Sequence, residues 1–250
     1  MLRSFAIRSG LGALGAVYVA LGLVSARVAI LGASRREQGI PAALRFLLSQ
    51  PRGPWILGAV VVGLGAIAAV QLGESAFSRR GVAARLGLAA SGIGYGILAW
   101  SAGRLLLHLN AGGADLQKAG VSWLLGQAWG PALLEVVGVA IAAGGLWEIF
   151  LGLRGRLPFR RDLLPRHLAR FLSGSARFGL AARGLVLCAV GYFVVAAAED
   201  LDATRVKTMG GTLRTLSKAS FGPVFTGVVA VGLAAYGVYM WTLMLLKRKV

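Results

Sequence analysis

The sequence contains few residues of the kinds that catalyse reactions or bind metals. Its 250 residues include one cysteine, Cys188, and two histidines, while Asp and Glu together number nine. A single cysteine excludes an intrachain disulfide. Paired-cysteine zinc patterns, H-E-x-x-H, a phosphate-binding loop and a nucleophile elbow are all absent. Because no set of general acid, base and nucleophile can be assembled, the sequence predicts a protein that is not an enzyme and needs no cofactor.

Charged residues of all kinds are also scarce. They make up 14% of the chain, against about a quarter in soluble domains, and hydrophobic residues make up 57%. Crossing a bilayer takes about 20 predominantly apolar residues. Six apolar runs reach that length, at 9–31, 54–73, 86–109, 131–151, 179–198 and 223–246. The sequence therefore predicts an all-α, integral membrane six-helix bundle.

The charge that is present is strongly basic, with a formal net charge of +18. The basic residues cluster at the ends of the apolar runs, which favours contact with anionic lipid headgroups and argues against nucleic acid. Both termini and the linkers between units fall on one side of the membrane, and that side holds 16 of the 27 Lys and Arg residues, including the eight arginines from Arg154 to Arg183. Glu148 is predicted to lie at the same ends of the spans, where water is close. The bias predicts a multi-pass protein of the inner (plasma) membrane with both termini in the cytoplasm.

One pattern, R-x-G-L-x-A-x-G, occurs at 8–15, 85–92 and 177–184, each time at the start of an apolar run. A Gly-Pro pair follows 45 residues after each repeat arginine and begins a second run. The chain is therefore predicted to be three parallel two-span repeats. The unit boundaries are 1–78, 79–153 and 177–250, and a basic linker at 154–176 precedes the third unit.

Amphipathic segments are predicted between the two spans of each unit, at Pro41–Gln50, Leu116–Trp129 and Arg205–Ser220. Their length suits short helices in the membrane interface. In the basic linker, a further amphipathic helix over Arg160–Leu172 is predicted to lie on the membrane. We expect it to contact anionic headgroups or a protein partner through four arginines: Arg160, Arg161, Arg166 and Arg170.

The first span of each unit carries small residues at helical spacing on one face. Small residues let helix backbones approach closely in lipid, so these positions are predicted to be packing contacts. The glycines concerned are Gly15, Gly22, Gly92, Gly184 and Gly191.

The tandem units, with their opening Arg-x-Gly-Leu-x-Ala-x-Gly stretch and the Gly before each second span, resemble the bacterial membrane family called domain of unknown function 1206. The resemblance covers nearly the whole chain. That family often has Gln-Pro-aromatic-Gly before the second span. Residues 50–53 (Gln-Pro-Arg-Gly) and 127–130 (Gln-Ala-Trp-Gly) keep parts of it, while 219–222 (Ala-Ser-Phe-Gly) lacks the Gln. The resemblance implies topology and no chemistry.

Three sets of residues are candidate sites. Gly10–Gly15 matches the dinucleotide fingerprint, but neither a preceding strand nor a later acidic residue accompanies it. His108, at the end of the third span, is a weak candidate ligand for haem or a pigment, and a polar interface residue is the commoner role. Arg104 and Glu135 are predicted to lie at similar depth and to form an ion pair closing the second unit.

Two functions remain open on this sequence. The favoured one is a non-enzymatic scaffold or accessory subunit of a larger membrane complex, because the middle of the spans is predicted to be apolar. The alternative is a small channel or transporter, although such proteins commonly place polar sites at the midplane between inverted repeats.

Overall fold

The computed structural model describes residues 2–31, 39–77, 81–107, 113–154, 166–202, 212, 215 and 222–246. Within these ranges the chain forms eight α-helices and no strand. In chain order they are α1 (Leu2–Leu31), α2 (Ile40–Leu48), α3 (Gly53–Phe77), α4 (Val82–Leu106), α5 (Gly113–Leu125), α6 (Gly130–Arg154), α7 (Arg166–Glu199) and α8 (Gly222–Leu246).

Six of these helices are long and apolar enough to cross a membrane: α1, α3, α4, α6, α7 and α8. They coincide with the six apolar runs of the sequence, which confirms the prediction of a multi-pass, all-helical membrane protein. The segments of each helix that qualify as spans are Ala6–Ile30, Gly53–Phe77, Ala84–Leu106, Gly130–Arg154, Leu172–Glu199 and Val224–Leu245.

The six spans form a ring in chain order. Helix α1 packs on α3 and α3 on α4, α6 packs on α7 and α7 on α8, and α8 returns to pack on α1. Between α4 and α6 extensive packing is missing, and α5 contacts both of them there. The ring is therefore closed by the first and last spans and open within the second unit.

Three of these interfaces are equivalent, because in each the first helix of one unit packs on the second helix of the preceding unit. A Cβ added to Gly184 of α7 would lie 2.5 Å from the carbonyl oxygen of Gly145 on α6. A Cβ on Gly15 of α1 would lie 2.9 Å from the Gly237 carbonyl oxygen, and one on Gly92 of α4 would lie 2.8 Å from Cγ of Leu72. Gly15, Gly92 and Gly184 all follow their repeat arginine by seven residues, so the packing has approximate threefold symmetry.

The two remaining glycines of the predicted packing face lie at crossings as well. A Cβ on Gly22 would lie 2.6 Å from the Ala230 carbonyl oxygen, and one on Gly191 would lie 2.6 Å from that of Gly138. Such backbone approach is the arrangement expected for helices packed in lipid.

The glycine of the Gly-Pro pairs is required for steric reasons. A Cβ on Gly53 would collide with the Leu48 carbonyl oxygen at the end of α2, and a Cβ on Gly130 would collide with that of Leu124 at the end of α5. Only glycine allows the chain to turn so tightly into the next span. The proline that follows has no N–H to leave unsatisfied in the first helical turn.

Helix α2 covers the end of the ring that is remote from the chain termini. Its Ala43, Leu44 and Leu47 are buried, and it packs against α1, α3 and α4, while Arg45 is exposed. Apart from Thr212 and Thr215, the corresponding segment of the third unit, Arg205–Ser220, lies outside the described residues.

Part of the basic linker belongs to the helix that contains the fifth span and does not form a separate helix. From Arg166 the chain continues as one helix, α7, to Glu199. Arg170 is exposed on it, while Arg160 and Arg161 lie outside the described residues, as does the side chain of Arg166.

Candidate functional site

The sequence-predicted site residues are not assembled into one place. His108 lies outside the described residues. The structure does not bring Arg104 and Glu135 together, because α4 packs on α3 and α6 packs on α7. Glu135 is exposed on α6, and Arg104 lines a groove between α3 and α4, with its Nε buried and without a hydrogen-bond partner.

A charged centre lies inside the ring instead, built around Arg183 of α7. Its Nη1 donates a hydrogen bond to the carboxylate of Glu148 on α6, and its Nε donates one to the hydroxyl of Tyr18 on α1 at 2.8 Å. The side chains of Arg183 and Glu148 are 19% and 20% exposed. A cation and an anion from neighbouring spans thus pair in a largely buried position.

Two aromatic rings enclose the guanidinium group. Its carbon lies 5.1 Å from the ring centroid of Tyr236 and 5.7 Å from that of Tyr18. The two tyrosine rings meet edge to face with centroids 4.8 Å apart. Both separations from the guanidinium carbon fall within the range of cation–π attraction. The charge of Arg183 is therefore stabilised by Glu148 and by two aromatic faces.

Tyr18 and Arg183 lie close to the middle of their spans, whereas Glu148 lies six residues, about 9 Å, from the middle of Gly130–Arg154. Tyr18 is the central residue of Ala6–Ile30, and Arg183 lies eleven residues after Leu172 in the span Leu172–Glu199. At 1.5 Å per residue, Arg183 is within about 4 Å of the middle of its span. The expectation of an apolar midplane is therefore wrong. From the sequence, Arg183 was predicted to lie with the basic residues at the ends of the spans, because it follows Arg177 by only six residues. Six helical residues nevertheless place it about 9 Å deeper than Arg177.

The repeat arginines have a role that the sequence did not reveal. Arg177 donates hydrogen bonds to the carbonyl oxygens of Gly152 and Leu153 at the end of α6, at 3.0 and 2.8 Å. Arg85 does the same for Ser75 and Ala76 at the end of α3, at 2.7 and 3.3 Å. The last carbonyls of a helix have no intrahelical partner and carry partial negative charge, so each arginine joins one unit to the end of the preceding one.

The charged centre occurs at only one of the three equivalent interfaces. Arg183 follows its repeat arginine by six residues, and Glu148 follows its own by 63. The same two positions hold Leu14 and Met240 where α8 meets α1, and Ser91 and Gln71 where α3 meets α4. Packing of the repeat does not require an ion pair here, which makes Arg183 and Glu148 the strongest candidates for a functional pair.

Hydrogen-bonding capacity remains at the centre. Oε2 of Glu148 is buried without a partner. The bonds to Glu148 and Tyr18 use Nη1 and Nε of Arg183, so neither of them uses Nη2. A small cavity of about 30 Å³ lies nearby, lined by Tyr18 and Tyr95 together with Ile40 and Leu44 of α2. This volume has room for one or two water molecules. The described ranges contain no group of three or more His, Cys, Asp or Glu residues that could hold a metal ion.

The fold and this centre define an integral membrane protein of six spans, in which three tandem two-helix units close into a ring. The model of the family described as Domain of Unknown Function (DUF1206) matches the chain three times, over residues 9–78, 86–155 and 178–243. The chain belongs to this family.

A bacterial relative matches the chain over most of both lengths. The chain is 26% identical over 241 residues to a protein named "Uncharacterized protein YxxB" from Bacillus subtilis (strain 168), covering 93% of this chain and 86% of the relative. No solved structure matches the chain.

Proposed function

We propose that the protein is a membrane transporter of a small polar solute and that the Arg183–Glu148 centre is its binding site. The observation that carries the proposal is a largely buried ion pair between two spans, with Arg183 near the middle of its span. The two equivalent interfaces hold uncharged residues at the same positions. Ionisable residues inside transmembrane segments are costly and commonly mark substrate or ion pathways.

The hydrogen-bonding groups of the centre that have no protein partner indicate the chemistry of the solute. Glu148 Oε2 is an acceptor without a donor, and the guanidinium group of Arg183 retains donor capacity at Nη2. A complementary solute carries both an acceptor group, such as a carboxylate, and a donor group, such as an ammonium or a hydroxyl. Small amino acids and hydroxy acids have this combination.

Access to the centre is covered on one side. Helix α2 covers the side remote from the termini, where its Leu44 and Leu47 are buried. An apolar cavity lies beneath it. The absence of extensive packing between α4 and α6 leaves one seam of the ring open for movement. Rocking of one part of a bundle against another is the usual motion of transporters, and we propose this seam as the place where it occurs.

An accessory-subunit role is the second candidate, favoured by the same open seam. The spans of α4 and α6 are the two least covered by the rest of the molecule. A helix of a partner protein inserted beside α5 would complete the ring. This role predicts a co-purifying membrane protein and does not need Arg183 to be charged.

Solute flux distinguishes the two roles. Vesicles reconstituted with the purified protein should swell selectively in glycine or lactate, which carry both an acceptor and a donor group, and not in acetate or chloride, which lack the donor; swelling is measured by light scattering against protein-free vesicles. Arg183→Gln should abolish that selective flux, since the solute loses its charged contact. Arg27→Gln, a change at an exposed arginine of α1, is the control and should leave flux unchanged.

Two outcomes would count against transport. The first is flux equal to that of protein-free vesicles for every solute, accompanied by no thermal stabilisation of the protein by any of them. The second is flux that survives in Arg183→Gln. A partner recovered in mild detergent together with the first outcome would favour the accessory role.

We further propose that both termini face the cytoplasm, because their side of the ring carries most of the basic residues. A cysteine introduced at Gly113, the first residue of α5, should react with a membrane-impermeant maleimide added outside intact cells. The matched position is Ser78, between α3 and α4, which should react only after the cells are opened. The reverse pattern would refute the orientation. Cys188→Ala serves as the background for both variants.

A further inference from the structure

We propose that the groove between α3 and α4 binds one anionic phospholipid, with an acyl chain in the groove and the phosphate at Arg104. The groove has a volume of about 840 Å³ and is lined by apolar and small residues along both helices. Arg104 is the charged residue in its lining, and it lies near the end remote from the chain termini.

The groove exists because side chains are missing at one interface of the ring. Gly65, Gly96 and Gly103 line it, and a Cβ added to Gly65 or Gly96 would meet nothing within 4 Å. The repeat-equivalent positions in the other two interfaces hold larger residues, namely Ala142 and Ala234, Val19 and Cys188, and Ala26 and Val195. The space is therefore a property of the first and second units and not of the repeat.

The dimensions and exposure of the groove suit a lipid chain. Along α4 the lining runs from Gly96, beside the middle of the span, to Leu107 just after its end. That distance is about 17 Å at 1.5 Å per residue, close to the roughly 15 Å of hydrocarbon in one leaflet. Trp100 and Leu107 are 61% and 70% exposed, so the groove opens to the outside of the ring.

Arg104 supplies the preference for an anionic headgroup. Its Nε is buried and has no hydrogen-bond partner, which leaves a cation beside the apolar groove without compensation from the protein. A guanidinium group binds phosphate oxygens through two parallel N–H bonds. A phosphodiester with its chain in the groove would satisfy the charge and fill the space at once. The equivalent Arg27 of α1 is exposed and serves as a natural comparison.

Native mass spectrometry of the purified protein in detergent tests this, with phosphatidylglycerol and phosphatidylcholine as probes. Wild-type protein should retain phosphatidylglycerol more tightly than phosphatidylcholine. Arg104→Gln should weaken the binding of phosphatidylglycerol about fivefold, equivalent to about 1 kcal/mol, and largely remove the preference for it over phosphatidylcholine. Arg27→Gln should leave the retention of both lipids at this site unchanged. Equal effects of the two arginine variants would overturn the assignment to Arg104.

The groove itself is tested by filling it. Gly96→Leu should displace both lipids, whereas Gly94→Leu on the same helix should displace neither, because a Cβ at Gly94 also meets nothing within 4 Å but Gly94 is not part of the lining. If Gly96→Leu does not fold, Gly65→Leu fills the groove from α3. Retention of phosphatidylglycerol by a folded groove-filling variant would overturn the proposal, as would loss of a co-purifying protein with no change in lipid.

Discussion

Replacing Glu148 by Gln should destabilise the protein by about 3–5 kcal/mol, the cost of leaving one partner of a buried ion pair without the other. Arg183→Gln should have a smaller effect in the same direction. The reason is that a carboxyl group left alone at this depth can take up a proton, whereas a guanidinium group stays charged. Both effects would appear as lower thermal midpoints of the purified protein in detergent.

The repeat provides the control for this pair. The double variant Arg183→Leu with Glu148→Met introduces the residues that occupy the equivalent interface, Leu14 and Met240. Replacing a buried ion pair by apolar residues of similar size is often neutral or stabilising. We therefore expect the double variant to be more stable than either single variant while lacking solute flux. A double variant less stable than both single variants would show that the pair is needed for folding and would remove the main support for a functional pair.

Gly145→Ala should impair folding severely, whereas Gly144→Ala should be tolerated. A methyl group on Gly145 would lie 2.5 Å from the Gly184 carbonyl oxygen and 2.8 Å from the amide nitrogen of Cys188. A methyl group on Gly144 would meet nothing within 4 Å. Because the obstructing atoms belong to the backbone, α6 and α7 would have to separate, and we expect a loss at or above the roughly 1–3 kcal/mol of ordinary overpacking.

The two glycines are adjacent in one helix, so their intrinsic effects on helix formation cancel in the comparison. The yield of monodisperse protein by size exclusion and the thermal midpoint measure the difference. Similar behaviour of the two variants would contradict the close crossing of α6 and α7.

The sequence predicted the number of spans and the repeat because both depend on local properties. Apolar length determines which segments can cross a bilayer, and the recurrence of Arg8, Arg85 and Arg177 shows the unit directly. The neighbours of each span could not be derived in this way. The repeat suggests that the two spans of one unit pack on each other, yet α4 and α6 share little contact, and the three most extensive crossings join different units.

The charged centre was missed for the same reason. Arg183 and Glu148 are 35 residues apart, and both were predicted to lie at the ends of spans. Tyr18, which completes the centre, belongs to the first unit. One signal in the sequence could have indicated the site. At the position six residues after each repeat arginine the three units hold Leu14, Ser91 and Arg183, so one unit places a charge where the other two do not. Comparing the units position by position would have found this difference.

The closing of α8 onto α1 relates the three units to one another as the subunits of a cyclic trimer that share one polypeptide. Their contacts are head to tail, and the angle between neighbours then decides how many copies complete the circle. A fourth unit could not be inserted into the closed ring, and loss of one unit would leave two helix faces without a partner. Covalent linkage also permits asymmetry. In a trimer of identical chains the arginine and the glutamate would each appear three times around the axis, so three ion pairs would have to be buried. Fusion into one chain lets a single arginine stand opposite a single glutamate.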